Sequence, residues 1–253
     1  MRVQDYLWAV TEAKSMEEIW DMHVERMASY GFDRLIYGYT QYLTPSSLGD
    51  PEDLVLLTNH NPEYVNTFIG SGLYFHAPMV QWARHNDGAA SWGVISQMEA
   101  AKTLTAAEKK VVEFNQRMGV LAGYTVSFKS VSARAKGAIA LTAPKGVSQA
   151  DVDLIWANHG KEIVLMNNVM HLKLLTLPYS GSRPLTKRQR EVLEWVGDGK
   201  TTQDIAMLLG LTPATVEKHL RLAREALDVE TTAQAVLKAS FQNQMFIVED
   251  GVA

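Results

Sequence analysis

The spacing of apolar and polar residues changes along this chain, and each change predicts an element. Asp5 and Glu12 interrupt the apolar residues at the start, so this stretch reads as a helix of the mature protein and not as a cleaved leader. Ser15 and Glu18 have the spacing of a capping box, in which a hydroxyl and a carboxylate each satisfy a backbone N–H of the other residue. The box opens a helix whose Ile19, Met22, His23, Met27 and Tyr30 fall on related faces and which stops near Gly31. Residues 34–43, rich in aromatics, read as a strand, and 54–58 as a second. Helical spacing follows over 61–69 and 78–85, residues 124–129 and 137–142 alternate like a hairpin pair, and a long helix runs over about 148–174. Helices interleaved with a short antiparallel sheet imply an α/β/α sandwich whose interior can hold a small apolar ligand.

Helical periodicity breaks over residues 175–184, where two prolines, a glycine and two serines mark a linker. Beyond it Thr186 and Gln189 form another capping box, ahead of an apolar face of Val192, Leu193, Trp195 and Val196. The most specific pattern in the chain is residues 201–220. A helix can start after Thr201 with Asp204 near its exposed N–H groups, and Ile205, Ala206 and Leu209 share one face. Gly210 tolerates positive φ at the helix end, and Leu211 plugs the angle. Thr212-Pro213 restarts a helix at once, because a Thr oxygen caps while Pro at the first position loses no needed hydrogen bond. Val216 and Leu220 face inward, which turns Thr215, Glu217, Lys218, Arg221 and Arg224 outward. This is a helix-turn-helix whose outward donors and acceptors suit the major groove. A fourth helix, capped by Thr231 or Thr232, carries Ala235, Val236, Ala239 and Phe241 at helical spacing.

Residues 185–229 resemble the C-terminal DNA-binding domain of the LuxR family of transcription regulators. The likeness is carried by Leu185-Thr186, Glu191, Leu193, Gly199-Lys200-Thr201, Ile205-Ala206, Thr215-Val216, His219-Leu220, Leu227 and Val229. Glu217 departs from it: many relatives place a basic residue there, whereas a carboxylate accepts from cytosine instead of donating to guanine. The order of upstream elements is similar to the family's N-terminal domain, which binds N-acyl homoserine lactones. Positions matching the family's ligand pattern are Tyr64, Phe68, Ala77-Pro78 and Trp92, with Gly137 on the hairpin; only Pro78, Trp92 and Gly137 keep the family residue. Ala77 replaces an Asp that accepts the ligand amide in relatives, and an unpartnered buried amide costs roughly 1–3 kcal/mol. The resemblance further points to Ile36, Gly38, Thr40 and Ala140 as ligand-lining, although alternation alone leaves open which face of the first strand is used. Tyr37 and Tyr39 form the opposite face. Three outcomes stay open: an acyl homoserine lactone held by other polar groups such as Tyr37, Tyr39, Thr40, His76, Ser127 or Thr142, a less polar signal, or no ligand.

The expected fold class is therefore α+β: an N-terminal α/β/α sandwich with an antiparallel sheet over 1–174, a linker over 175–184, and an all-α four-helix domain over 185–253. The absence of cysteine in 253 residues excludes disulfides, thiolate metal sites and cysteine nucleophiles, and agrees with a reducing cytoplasm. Seven scattered histidines without HExxH, GxSxG or a Walker loop argue against an enzyme, so neither metal nor cofactor is expected beyond the small-molecule signal. The formal charge is −4 overall, yet between Arg183 and Arg224 eight Lys and Arg face five Asp and Glu. A basic window in an acidic chain cannot rely on broad attraction, so affinity must come from dimerisation and placed contacts. Lys200, Arg188 and Arg190 are phosphate candidates, and Lys200, Thr201, Thr215, Glu217, Lys218, Arg221 and Arg224 form the expected DNA-contacting set. The expected partners are an operator, an autoinducer and a second copy of the chain, with RNA polymerase a further one and no membrane. A ligand-independent DNA-binding protein is the competing reading; a response regulator is disfavoured because the first strand follows two helices among aromatics.

Overall fold

The computed structural model describes residues 2–44, 47–49, 53–179 and 184–247. The chain divides into two compact units, Met1–Leu175 and Thr176–Ala253. Residues 180–183 of the expected linker lie outside the described residues.

The first unit begins with α1 (Val3–Glu12) and α2 (Met16–Ala28), the latter capped by Ser15 accepting from the Glu18 N–H. Strands β1 (Arg34–Thr40) and β2 (Val55–Thr58) follow, then α3 (Pro62–Phe68), a 3-10 turn over Leu73–His76, and α4 (Pro78–His85). Strand β3 (Gly88–Ser91) and helices α5 (Gly93–Ala100) and α6 (Ala106–Arg117) precede β4 (Gly123–Ser127), β5 (Lys136–Thr142) and the long α7 (Gln149–Leu174). Four of these, the 3-10 turn, β3, α5 and α6, have no counterpart in the elements expected from periodicity. Strand β1 ends three residues before the aromatic run does, because the Thr40 hydroxyl donates to the Leu48 carbonyl and accepts from the Tyr42 N–H, turning the chain.

The sheet is antiparallel throughout, in the order β2-β1-β5-β4-β3. Side chains alternate across a strand, so its register fixes both faces. Ile36, Ala140 and Thr125 stand in line, as do Tyr37, Ile139 and Val126 one residue along. The second set packs under α7, where the Tyr37 hydroxyl meets His171 Nδ1 at 2.8 Å, Phe128 stacks on His171 at 4.1 Å, and Tyr124 stacks on Trp156 at 3.8 Å. Gly137 permits this, since a Cβ there would lie 2.8 Å from His171 Cε1. A second buried polar link joins α1, α2 and α7. The Asn167 amide nitrogen donates to the Ile163 carbonyl, leaving its Oδ1 to accept at 3.0 Å from His23 Nε2 while His23 Nδ1 accepts from the Tyr6 hydroxyl at 2.6 Å. Burial holds both His23 and His171 down to about 4, so each is neutral at neutral pH.

The second unit contains α8 (Lys187–Gly197), α9 (Thr202–Leu209), α10 (Pro213–Ala226) and α11 (Thr232–Phe241). A threonine hydroxyl caps each one: Thr186, Thr201, Thr212 and Thr231 accept from the backbone N–H three residues on. Between α9 and α10 Gly210 takes φ +63°, the left-handed geometry that ends a helix with least strain in glycine. Val192, Leu193, Ile205, Val216 and Ala223 are wholly buried against one another, with Leu211 packed at the turn. Among the described residues no helix is long and apolar enough to cross a membrane.

Candidate ligand cavity and nucleic-acid interface

The sheet face opposite α7 is one wall of a cavity of about 420 Å³, a volume within the range of small-molecule sites. Ile36, Gly38, Thr40 and Ala140 line it from the sheet, and Tyr64, Phe68, Ala77 and Trp92 from the helical side, so all eight expected residues converge on one space. A Cβ built at Gly38 meets nothing within 4 Å, which makes the glycine a widening of the cavity. Gly123 has the opposite role: a Cβ there would lie 3.0 Å from the Trp92 ring, so its lack of a side chain lets the indole lie against β4.

Several polar groups of the wall are engaged within the protein. Trp92 Nε1 donates to Thr125 Oγ1 at 2.9 Å, and the Tyr64 hydroxyl donates to Asn115 Oδ1 at 3.1 Å. Of the other polar candidates, Ser127 donates to the Ala83 carbonyl, Tyr37 is turned to α7, and His76 is exposed. Among the buried polar atoms of lining residues, Thr142 Oγ1, Tyr74 Oη and His60 Nε2 have no hydrogen-bond partner, while the guanidinium of Arg84, also on the wall, donates to Gln81 Oε1 and to the Thr44 carbonyl. His60 heads an aromatic ladder at four-residue spacing, stacked at 4.4 Å on Tyr64, which in turn stacks at 5.2 Å on Phe68. Burial, reinforced by the Arg34 charge, holds His60 down to about 4, and burial also raises the Tyr74 hydroxyl above the usual phenol value. Both are neutral at neutral pH. Thr142 was among the polar residues expected from sequence; His60 and Tyr74 were not, although the spacing His60-Tyr64-Phe68 is a visible signal for the first.

On α10, Glu217, Lys218 and Arg221 are exposed and Thr215 is half-buried. The Glu217 carboxylate accepts from the Thr202 hydroxyl at 2.8 Å, tying the recognition helix to the start of α9. Arg221 pairs with Glu225 one turn along the same helix. Arg224 is half-buried and donates to Thr232 Oγ1 at 2.9 Å, bracing α10 against the first residue of α11. Thr201 shares its hydroxyl with Asp204 in the capping box, and the adjacent Lys200 is exposed.

Family models match both units. Residues 15–174 match the autoinducer binding domain, and residues 183–239 match the bacterial regulatory proteins of the luxR family. The chain belongs to the LuxR family of transcriptional regulators. Over 198 residues this LuxR-family chain is 24% identical to the transcriptional activator protein LuxR of Aliivibrio fischeri, covering 77% of this chain and 76% of that protein. It is 22% identical over 244 residues to the transcriptional activator protein AnoR of Acinetobacter nosocomialis, covering 93% and 95%. Its fold is similar to that of Escherichia coli SdiA, with a TM-score of 0.52 at 16% identity over 97% of this chain and 98% of that one. The N-acylhomoserine lactone dependent LuxR-family factor CepR2 of Burkholderia cenocepacia gives a TM-score of 0.53 at 15% identity over 68% and 93%. As a LuxR-family member the protein is a ligand-responsive, DNA-binding regulator and not an enzyme.

Proposed function

We propose that residues 1–174 bind an N-acyl homoserine lactone or a related apolar signal, and that the occupied protein binds a two-fold operator as a homodimer through residues 185–253. The observation that carries this reading is the largely apolar cavity on the sheet face, with unpartnered polar atoms on its wall. A ligand that fills it stabilises the folded unit by mass action and shifts the population toward the form that dimerises. Support for the dimer comes from Leu154, Leu165 and Leu172, exposed at near-whole-turn intervals along α7, and from Leu237 and Phe241 exposed on α11. In this reading Lys218 and Arg221 contact bases or phosphates, Thr215 and Glu217 orient the recognition helix, and Lys200 and Thr201 meet the backbone. The protein acts in the cytoplasm, and if it activates transcription RNA polymerase is its third partner.

A second reading is favoured by one observation. Trp92 Nε1 and the Tyr64 hydroxyl are both satisfied internally, and Phe68 and Ala77 offer no polar group, so the N-terminal unit can serve dimerisation without any signal. Expression with and without a mixed pool of acyl homoserine lactones, organic extraction, mass spectrometry and a melting-temperature comparison separates the two. A retained lactone with a raised melting temperature is expected. No retained molecule and no shift establishes the ligand-independent form.

A further inference from the structure

We infer that Thr202 and Glu217 form one base-reading unit, in which Thr202 holds the Glu217 carboxylate on the outer face of α10 and the carboxylate selects cytosine at one position of each operator half-site. This rests on the reading that residues 185–253 bind an operator through α10, and it assigns one position of the sequence that α10 reads.

Glu217 is placed for this by its helix. Val216 and Leu220 are buried in the core of the helical unit, so the face of α10 turned away from it carries Glu217, Lys218 and Arg221, all exposed. In a helix-turn-helix that face enters the major groove. Its charges cancel. Glu217 and Glu225 match Lys218 and Arg221, and Arg221 is already paired with Glu225, so the face as a whole offers the phosphates no net attraction. A carboxylate there is repelled by every DNA sequence unless a base offers it a donor. Holding α9 to α10 does not explain the charge, since a neutral glutamine in place of Glu217 would accept from Thr202 as well and without that repulsion.

The Thr202 bond also limits what the carboxylate can do. From the first turn of α9 the Thr202 hydroxyl donates to Glu217 Oε1 at 2.8 Å, and it is the only hydrogen-bond partner of Glu217 among the described residues. One oxygen is thereby fixed, which removes rotamer freedom from a long side chain before DNA arrives. The other, Oε2, remains an acceptor without a donor. Base chemistry then narrows the choice. In the major groove guanine presents N7 and O6 and thymine presents O4, all acceptors, and these repel a carboxylate. Adenine offers its N6 amine beside the N7 acceptor, a pair that suits an amide and opposes a carboxylate. Cytosine offers the N4 amine alone. A fixed carboxylate therefore favours cytosine, and an amide in its place favours adenine.

The test selects binding sites from duplex DNA with a randomised core of about two helical turns, using the full chain with a mixed pool of acyl homoserine lactones. The parent is compared with Glu217→Gln, Glu217→Ala, Thr202→Val and Thr202→Ser. The parent should enrich a two-fold site with a fixed cytosine in each half, and changing that cytosine to guanine should weaken its binding about tenfold or more in a titration. Glu217→Gln should move the preference at that position from cytosine to adenine, and Glu217→Ala should flatten it to within about threefold, with the rest of the site unchanged. Thr202→Val, which removes the hydroxyl at nearly constant shape, should weaken the cytosine preference about threefold or more, and Thr202→Ser should restore it. A purely structural link would instead lower affinity for every sequence equally, together with the melting temperature of the helical unit, and leave the preference at each position as it was. That result, a site in the Glu217 variants identical to the parent's, or an undiminished cytosine preference in Thr202→Val overturns the inference, while the enriched site keeps the operator reading. If the parent enriches no sequence, both fall.

Discussion

The two units use their polar residues in opposite ways. In the helical unit many of them work within one turn of their own position: Thr186, Thr201, Thr212 and Thr231 each cap the helix they begin, and Arg221 pairs along its own helix, while Glu217 and Arg224 link neighbouring helices. In the sandwich unit the decisive polar contacts join residues far apart in sequence, such as His23 with Asn167 and Tyr37 with His171, and several polar groups face a cavity instead of a partner. One unit is built to hold a rigid reading surface. The other stores uncompensated polar groups in its interior, which costs stability and leaves the interior responsive to what enters it.

Acidification should expose this difference most strongly. His23, His60 and His171 protonate near the ordinary 6.5 when unfolded but only near about 4 when folded, because burial penalises the charge. Stability fully present above pH 6.5 is therefore lost as pH falls toward 4, by at most about 3 kcal/mol per histidine. Chemical denaturation of the sandwich unit between pH 7 and 4.5 measures it. The helical unit contains none of these three buried histidines and should show no such loss; equal acid sensitivity of both units would erase the contrast.

Ile205→Ala tests the rigid unit at its core. Emptying this wholly buried position should cost about 2–5 kcal/mol, enough to abolish DNA binding while the sandwich unit keeps its own melting transition. Concerted loss of both transitions would mean that the units do not fold independently. A smaller effect is expected on the reading surface, where Arg221→Ala should weaken operator binding by about 1–3 kcal/mol without changing stability. Arg224→Ala, which removes a brace to Thr232, should lower both. Unchanged operator affinity of the Arg221 variant in a titration removes it from the contact set. Smallest of all, Thr212→Ala should cost about 1 kcal/mol of unfolding free energy in the helical unit, because one capping acceptor is lost, with the sandwich unit unaffected.

Legibility from sequence followed the same division. Capping boxes, the Gly210 turn and the Thr212-Pro213 restart are interactions within a few residues, so the four C-terminal helices could be read directly. In the sandwich unit the omissions have identifiable causes. Strand β3 is Gly-Ala-Ala-Ser at the sheet edge, with no branched or aromatic residue to signal it, and α5 has no buried residue and hence no apolar stripe. Helix α6 did carry a signal, since Thr105 and Glu108 form a capping box with the spacing that Ser15 and Glu18 show in sequence ahead of α2, where the Glu18 carboxylate accepts from the Lys14 N–H instead. The eight expected lining residues reached the cavity through alternation and family position together, yet alternation alone left the two faces of β1 equivalent.

The sequence by itself determined the elements whose stability is local, the division into two units, and the resemblance that names the family. Tertiary structure alone decided that Ile36, Gly38 and Thr40 face the cavity while Tyr37 turns to α7, that Trp92 and Tyr64 already have partners, and that His60, Tyr74 and Thr142 have none. A hydrogen bond needs its two atoms within about 3 Å. Which distant residues come that close depends on sheet register and helix packing, and no spacing along the chain encodes it.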